Sequence, residues 1–344
     1  MIEVAVVGAG HWGPNLIRNF HGQLRTRVRW AVELDAARRA EIESRFGDVR
    51  TTEMLDEALD DPAVDAVVVA TPAPTHYAIT RAAIERGKHV LVEKPITTDA
   101  SQAADLCERA RSANTILMVG HVFIYNPGVQ RLKTLYSAGE IGRLLYMTMR
   151  RTNLGPIRVD VNAAWDLATH DVSIANFILG SEPVTVTGVG GTWINPGIED
   201  AVFATLRYHN DVLVQLHSSW LDPRKIRQIT LVGDRRMLTF DDMDMSEPIR
   251  IYDMGVADAE PEHGFVDTFS SFRSSIRQGD ITVPRVAMGE PLKAECDHFI
   301  DCIEFGKDPL TTGWDGLATV RVLEAIERSI KDGGRETAVA GVTA

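Results

Sequence analysis

The chain has very little cysteine: Cys107, Cys296 and Cys302 are the only three in 344 residues. Three thiols cannot build a disulfide framework. Cys296 and Cys302 flank His298, but all three lie on a helical pattern with Leu292, Phe299 and Ile303, and small thiols pack well in cores. No metal site is expected. Long apolar runs are missing as well. None approaches the roughly 20 residues of a membrane span. No basic segment with a cleavage site precedes the strand-like start Met1-Ile-Glu-Val-Ala-Val-Val-Gly8, so no secretory signal is expected. Positive charge is short too, with 36 Lys and Arg against 48 Asp and Glu, a formal net charge of −12 and a pI near 5.3. Such a surface repels nucleic acid and anionic membrane. The expectation is a cytoplasmic protein with a small-molecule partner, neither nucleic acid nor membrane. An anionic substrate still fits if cations gather locally.

What the chain does have is apolar content, 44%, enough for real cores. A chain of this length is expected to form two domains. Its first 120 residues alternate strand and helix signals. Strands fall at 2–7, 28–33, 64–70, 89–92 and 116–119, and helices between them. Val64 to Ala70 is a nearly unbroken apolar run, as a parallel strand covered on both faces requires. This alternation predicts a doubly wound parallel sheet over residues 1–120. From 121 to 344 the pattern changes. A helix is predicted at 127–138. Strands follow near 143–151, 184–194, 200–208, 211–220, 227–233 and 236–240, several alternating polar and apolar residues as half-exposed antiparallel strands do. Helices are predicted near 167–179, 264–278, 291–305 and 314–331. The fold class is α/β: an N-terminal Rossmann domain, then an α+β domain with an open, mostly antiparallel sheet. The tail from Lys331, with Gly333 and Gly334, reads as loosely held.

Gly8-Ala9-Gly10-His11-Trp12-Gly13 fits G-x-G-x-x-G. It follows a strand and opens a helix, the context in which the pattern binds a dinucleotide. The first glycine permits the tight turn, the second lets the backbone approach a pyrophosphate, and the third allows close helix–strand packing. The helix N-terminus offers N–H groups to phosphate, with His11 and Trp12 inside the same loop. Glu33 ends the second strand. A carboxylate there accepts from an adenosine 2′-hydroxyl and repels a 2′-phosphate, which favours NAD over NADP. Arg38 and Arg39 follow closely and argue the other way unless they face solvent. Thr71, Pro72 and His76 lie in the turn after the third strand, at the sheet edge where ligands of such folds bind. His76 either touches the cofactor or caps the next helix.

Glu93-Lys94-Pro95 closes the next strand. Proline fixes the backbone and aims the lysine, which can hydrogen-bond a substrate hydroxyl; the plainer reading is a surface ion pair with Glu93. In Trp165-Asp166-Leu167-Ala168-Thr169-His170-Asp171, Asp166 and His170 are four apart and share a face if the segment is helical. A histidine can take a hydroxyl proton while a carboxylate orients it. A capped helix N-terminus explains the same residues.

In this order, Gly8-x-Gly10-x-x-Gly13, Thr71-Pro72 with His76, Glu93-Lys94-Pro95 and Asp166-x-x-x-His170 resemble the glucose-fructose oxidoreductase / inositol dehydrogenase (Gfo/Idh/MocA) family over essentially the whole chain. The resemblance implies that Lys94, Asp166 and His170 form the catalytic group. It also implies that the glycine loop, Glu33, Thr71, Pro72, His76, Glu93, Lys94 and Pro95 surround NAD(P), and that the Lys94–Pro95 bond is often cis. One departure is Trp165, which stands where many members carry a more open, glycine-rich lead. The run from Arg150, Arg151 and Asn153 through Arg158 to Trp165 and Asp166 resembles the subgroup that oxidises C3 of UDP-N-acetylglucosamine or its uronate. Arg150, Arg151 and Arg158 form a local cationic cluster suited to a pyrophosphate or carboxylate.

The expected function is thus an NAD-dependent dehydrogenase acting on C3 of a nucleotide-linked sugar, with Lys94, Arg150, Arg151, Asn153, Arg158, Trp165, Asp166 and His170 at the substrate. Alternatives are a 3-ketoreductase of deoxysugar biosynthesis, a free sugar or inositol dehydrogenase, and a non-catalytic dinucleotide sensor. A homo-oligomer, tetramer or dimer, is expected through a sheet face that carries Val212, Val214 and Leu216.

Overall fold

In the computed structural model, residues 1–256, 276–287 and 289–342 are described. They divide into two compact units, Met1–Tyr125 with Glu290–Glu324, and Asn126–Gly289 with Ala325–Ala344. The first unit opens with β1 (Ile2–Val7), α1 (Gly13–His21), β2 (Thr26–Val32), α2 (Ala36–Arg45), β3 (Arg50–Thr52) and α3 (Leu55–Leu59). It continues with β4 (Ala66–Val69), α4 (His76–Glu85), β5 (His89–Glu93), α5 (Ala100–Ala113) and β6 (Leu117–Gly120). All six strands are parallel, in the order β3-β2-β1-β4-β5-β6. Chain order reverses between β1 and β4, the switch point at which such sheets bind ligands. Every residue of β4 is buried, the mark of a strand covered on both faces.

Helix starts in this unit differ in one respect. Asp35 caps α2 by accepting from the Ala37 N–H at 2.8 Å, and Asp99 caps α5 by accepting from the Ser101 N–H at 2.7 Å. The N-cap of α1 is Trp12, with no side-chain cap, as at α3 and α4; Pro14 brings no N–H, and the Asn15 N–H bonds the Trp12 carbonyl at 3.0 Å.

The second unit begins with α6 (Pro127–Ser137) and β7 (Leu144–Leu154). A single π turn at Ala164–Ala168 runs into α7 (Thr169–Leu179). Then come β8 (Thr185–Gly191), β9 (Ala201–Arg207), β10 (Leu213–Ser219), β11 (Leu221–Gly233), β12 (Met237–Asp241) and β13 (Ile249–Tyr252). The short pairs β14 (Gly255–Val256) with β15 (Ile276–Arg277), and β16 (Ile281–Thr282) on β13, follow. Two long helices close the chain, α8 (Pro291–Phe305) in the first unit and α9 (Gly313–Lys331), which runs from one into the other. The nine-stranded sheet has the order β16-β13-β12-β11-β7-β10-β9-β8-β17, with β17 (Thr337–Ala338) at its edge. Its pairings are antiparallel except β7 with β10.

Four expectations change. The first domain does not end once and for all near residue 120: Glu290–Glu324 return to it, because the buried faces of α8 and α9 are needed to cover one side of its sheet. The helix expected at 264–278 falls mostly on residues 257–275, outside the described residues, and Ile276–Arg277 are strand. The tail is not loose. It adds β17 to β8, and Val339 is buried. Val214 and Leu216 do not form an exposed face; both are buried in the unit's own core. The outward face carries Tyr146, Val189 and Phe203 instead, with the Phe203 ring stacked on His217 at 4.4 Å between centroids. Alternation along β10 was read correctly, but only packing decides which of the two faces a helix covers.

Candidate active site

In the first unit the glycine loop is built to a tolerance that admits no side chain. Gly8 has φ +92°, and a Cβ there would lie 2.8 Å from Thr71 Cγ2. A Cβ on Gly13 would stand 2.0 Å from the Gly8 carbonyl oxygen. Glu33 fixes the loop from the side: its Oε2 accepts from the Ala9 N–H at 2.7 Å and its Oε1 from the Asp35 N–H at 3.0 Å. Arg38 reaches over the loop, 4.0 Å from Glu33 Oε2, whereas Arg39 is engaged by the Glu33 and Leu34 carbonyls. The glycine cradle at the start of α1 and the carboxylate after β2 together fit a dinucleotide, and the half-exposed Arg38 side chain lies beside them.

His76 is held on both sides by backbone carbonyls. It is 1% exposed, and its two ring nitrogens bond the Pro95 carbonyl at 2.8 Å and the Thr71 carbonyl at 2.7 Å. It ties the Thr71–Pro72 turn to Lys94–Pro95, and burial holds its pKa below the ordinary imidazole value. The Lys94–Pro95 bond is cis. The Trp12 indole donates to Glu93. Desolvation pushes the Glu93 carboxyl up to about 7 against the pull of the adjacent Lys94 ammonium. Glu295, on α8, is fully buried and its pKa is raised by that burial and by Glu93. His121 is 2% exposed and is pushed down to about 3, first by burial and then by Lys94. Neither Glu295 nor His121 carried a sequence signal, since each sits in an ordinary apolar helical or strand-end pattern. Cys296 and Cys302 are buried in α8, and His298 takes the Leu310 N–H at 2.9 Å.

In the second unit Asp166 lies in the π turn and His170 in the first turn of α7. A π turn inside a helix often marks a functional site. Here Asn162 shapes it: its backbone carbonyl accepts from the Asp166 N–H at 3.1 Å and its side-chain oxygen from the Trp165 N–H at 3.1 Å. The Asp166 carboxylate is held at both ends, Oδ2 by the Trp220 indole at 3.0 Å and Oδ1 by Arg158 at 3.3 Å. Trp220 is fully buried. It comes from the far end of β10, so no local pattern could connect it to Asp166.

The other residues expected at the substrate separate. Arg158 is beside Asp166 but is also paired with Asp160. Asn153 donates to the Gly155 carbonyl at 2.6 Å and shapes the loop that carries Arg158. Trp165 is 7% exposed and directs its indole to Glu327, so its ring packs in the core. Arg150 and Arg151 take opposite faces of β7, as successive strand residues must. Arg150 points outward and pairs with Asp222 at 2.8 Å. Arg151 points inward, buried, with Nε and Nη2 both on Asp171 Oδ1 at 2.9 and 2.8 Å. The expected three-arginine cluster therefore does not exist: strand alternation splits one pair and carboxylates occupy all three.

Residues 2–121 match the family model described as an oxidoreductase family with an NAD-binding Rossmann fold, and residues 129–239 match the GFO/IDH/MocA C-terminal domain. UDP-N-acetylglucosamine 3-dehydrogenase of Acidithiobacillus ferrooxidans is 26% identical over 94% of this chain and 95% of its own length. Its solved structure superimposes with a TM-score of 0.82 at 24% identity, covering 96% of this chain and 98% of that one. The scyllo-inositol 2-dehydrogenase (NAD(+)) of Bacillus subtilis is 25% identical over 96% of this chain and 95% of the relative. The crystal structure of GenD2 from gentamicin A biosynthesis, in complex with NAD, has a TM-score of 0.81 at 27% identity and covers 100% of this chain and 97% of that one. Its two matched domains, glycine loop and parallel sheet make this chain an oxidoreductase of the GFO/IDH/MocA family.

Proposed function

We propose that this oxidoreductase oxidises the C3 alcohol of a nucleotide-linked sugar, with NAD as its cofactor. The observation that carries the chemistry is the fixed Asp166 carboxylate, gripped by Trp220 and Arg158 one helical turn before His170. A carboxylate so held orients a histidine and stabilises the imidazolium that forms when it accepts a proton. When bound, the cofactor supplies the acceptor for the hydrogen that leaves the carbon with its electron pair. His170 takes the hydroxyl proton. Lys94 donates a hydrogen bond to the oxygen as negative charge develops on it. Run in reverse, the same groups reduce a keto-sugar.

The full-length likeness to a UDP-N-acetylglucosamine 3-dehydrogenase supports the substrate class. A second likeness of the same extent, to a scyllo-inositol 2-dehydrogenase, favours a free cyclic polyol as the alternative. A substrate panel separates them. UDP-N-acetylglucosamine or its uronate should reduce NAD⁺, followed at the NADH absorbance, while myo-inositol and glucose should not. Robust turnover of myo-inositol with silence toward every nucleotide sugar would reverse the assignment.

Cofactor choice rests on Glu33. Its carboxylate lies beneath the loop with a side chain only 10% exposed, and a 2′-phosphate brought there meets a fixed like charge. NAD⁺ should bind more tightly than NADP⁺ in a fluorescence titration, and Glu33→Ala should narrow the gap. Tighter NADP⁺ binding by the unaltered enzyme would show that Arg38, not Glu33, sets the preference.

A further inference from the structure

α7 carries His170, and its buried residues do not favour one side. Asp171, Val172, Ser173, Ile174 and Ala175 are consecutive and all buried, as are Thr169 and Ile178. Consecutive residues of a helix are about 100° apart, so this burial runs round most of the axis. Apolar contact is non-directional and gives such a helix no preferred rotation. A rotation fixed closely enough for proton transfer needs directional contacts.

Two such contacts come from the parallel pair β7 and β10. Their register sets Arg151 beside Ser218, and Trp220 follows two residues further along. The Trp220 indole holds Asp166 Oδ2 at 3.0 Å. Arg151 holds Asp171 Oδ1 through Nε at 2.9 Å and Nη2 at 2.8 Å. Both residues of this pair are buried, at 5% and 2% exposure. Asp171 Oδ2 is buried with no hydrogen-bond partner among the described residues, so Arg151 is the group that anchors this carboxylate. Arg227 lies opposite Arg151 on β11 and is paired with Asp242 at 3.0 Å. Burial raises the Asp171 pKa, and the Arg151 and Arg227 charges oppose it. The segment is thus gripped at 166 and at 171, and His170 lies between.

We propose that the buried Arg151–Asp171 pair is a positioning device for His170: it sets the rotation of α7 that presents the imidazole alongside the Asp166 carboxylate. This rests on His170 as the proton acceptor in the function proposed above, and it moves Arg151 from substrate contact to support of the base. A misplacement of about 1 Å can cost about 10²-fold in rate, so the pair bears on turnover more than on binding.

The test replaces the pair as a unit. Arg151→Met/Asp171→Leu removes one charge of each sign, so the local net charge is unchanged. Exchanging a buried ion pair for apolar groups of similar volume is often neutral for stability. Arg151→Lys keeps the charge but not the two-point contact. The full chain, saturated with NAD⁺, is modified with diethyl pyrocarbonate across pH, and peptide mass spectrometry gives the pH midpoint for His170. kcat and KM are measured with whichever sugar reduces NAD⁺ in the panel above. In the double variant the midpoint should fall by about 0.5 pH or more, because an imidazole turned from Asp166 loses the carboxylate that favours its charged form. kcat should fall about 10-fold, with KM and NAD⁺ affinity within about twofold. Arg151→Lys should lie between the unaltered enzyme and the double variant on both measures. An unmoved midpoint in the double variant overturns the proposal even where kcat falls, since general loosening lowers turnover without changing the neighbours of one imidazole. If the double variant does not melt cooperatively, Arg151→Lys decides by the same criterion. A shifted midpoint together with near-normal turnover by His170→Ala would leave the positioning intact and overturn His170 as the base.

Discussion

His170→Ala and Lys94→Ala should each lower kcat by roughly 10²–10⁴-fold, the usual contribution of a positioned proton-transfer group, while the dissociation constant for NAD⁺ stays within about twofold. The two losses have different physical origins. Without His170 the hydroxyl proton has no acceptor held by the Asp166 segment. Without Lys94 the oxygen loses its donor as charge develops. Steady-state kinetics with saturating cofactor and a separate NAD⁺ titration make the comparison. Near-normal turnover in either variant removes that residue from the mechanism. A parallel fall in NAD⁺ affinity would show that the substitution disturbed the cofactor half rather than the chemistry.

The second large effect concerns Gly13. A Cβ added there would lie 2.0 Å from the Gly8 oxygen and 2.9 Å from the Gly8 carbonyl carbon. Both atoms are backbone, so no rotamer change relieves the clash, and α1 must move away from the end of β1. Overpacking a well-packed site typically costs about 1–3 kcal/mol, occasionally more. Here the strain is relieved by displacing the glycine loop and helix start proposed to receive a pyrophosphate. Gly13→Ala should therefore weaken NAD⁺ binding by about 10²-fold or more, equivalent to ~2.7 kcal/mol, and lower the thermal midpoint as well. Gly10 offers the control. A Cβ there meets nothing nearer than an Arg38 guanidinium nitrogen at 3.7 Å, so Gly10→Ala should leave the protein as stable as before. Unaltered NAD⁺ affinity in Gly13→Ala would mean that the cofactor does not use this loop.

These effects separate what local pattern can report from what it cannot. The Rossmann unit was legible because its signals are local: apolar runs of strand length, a glycine loop between the first strand and helix, and a Lys-Pro at a strand end. The strands of the second unit were legible for the same reason, since alternation has a period of two residues wherever one face is buried. Between two of those strands, Asn210 and Asp211 adopt positive φ in a turn. β13 escaped notice because Ile249–Tyr252 is short.

Side-chain roles divide along the same line. The glycines, Glu33, Lys94, Asp166 and His170 could be proposed from the sequence because each sits within a short motif. Their supports were not. Trp220 reaches Asp166 across 54 positions of sequence, and Glu295 sits against Glu93 across about two hundred. His76, read as either a cofactor contact or a helix cap, and Trp165 are both buried, since a motif names a residue without saying which way it points. For Arg150 and Arg151, adjacency in sequence means opposite faces in a strand, and only the helix packed on one face decides which of them is inside.

The sequence by itself determined the order of elements, the dinucleotide loop and the candidate proton-transfer residues, because those follow from dihedral preferences and from periodicities of two and 3.6 residues. Tertiary structure decided which sheet face is covered, that Glu290–Glu324 return to the first unit, and that the arginines near His170 are neutralised. Charge pairing and burial are relations between distant positions. Strand alternation along β7 and the fold of α7 onto it create them, and neither relation is written in any single stretch of the chain.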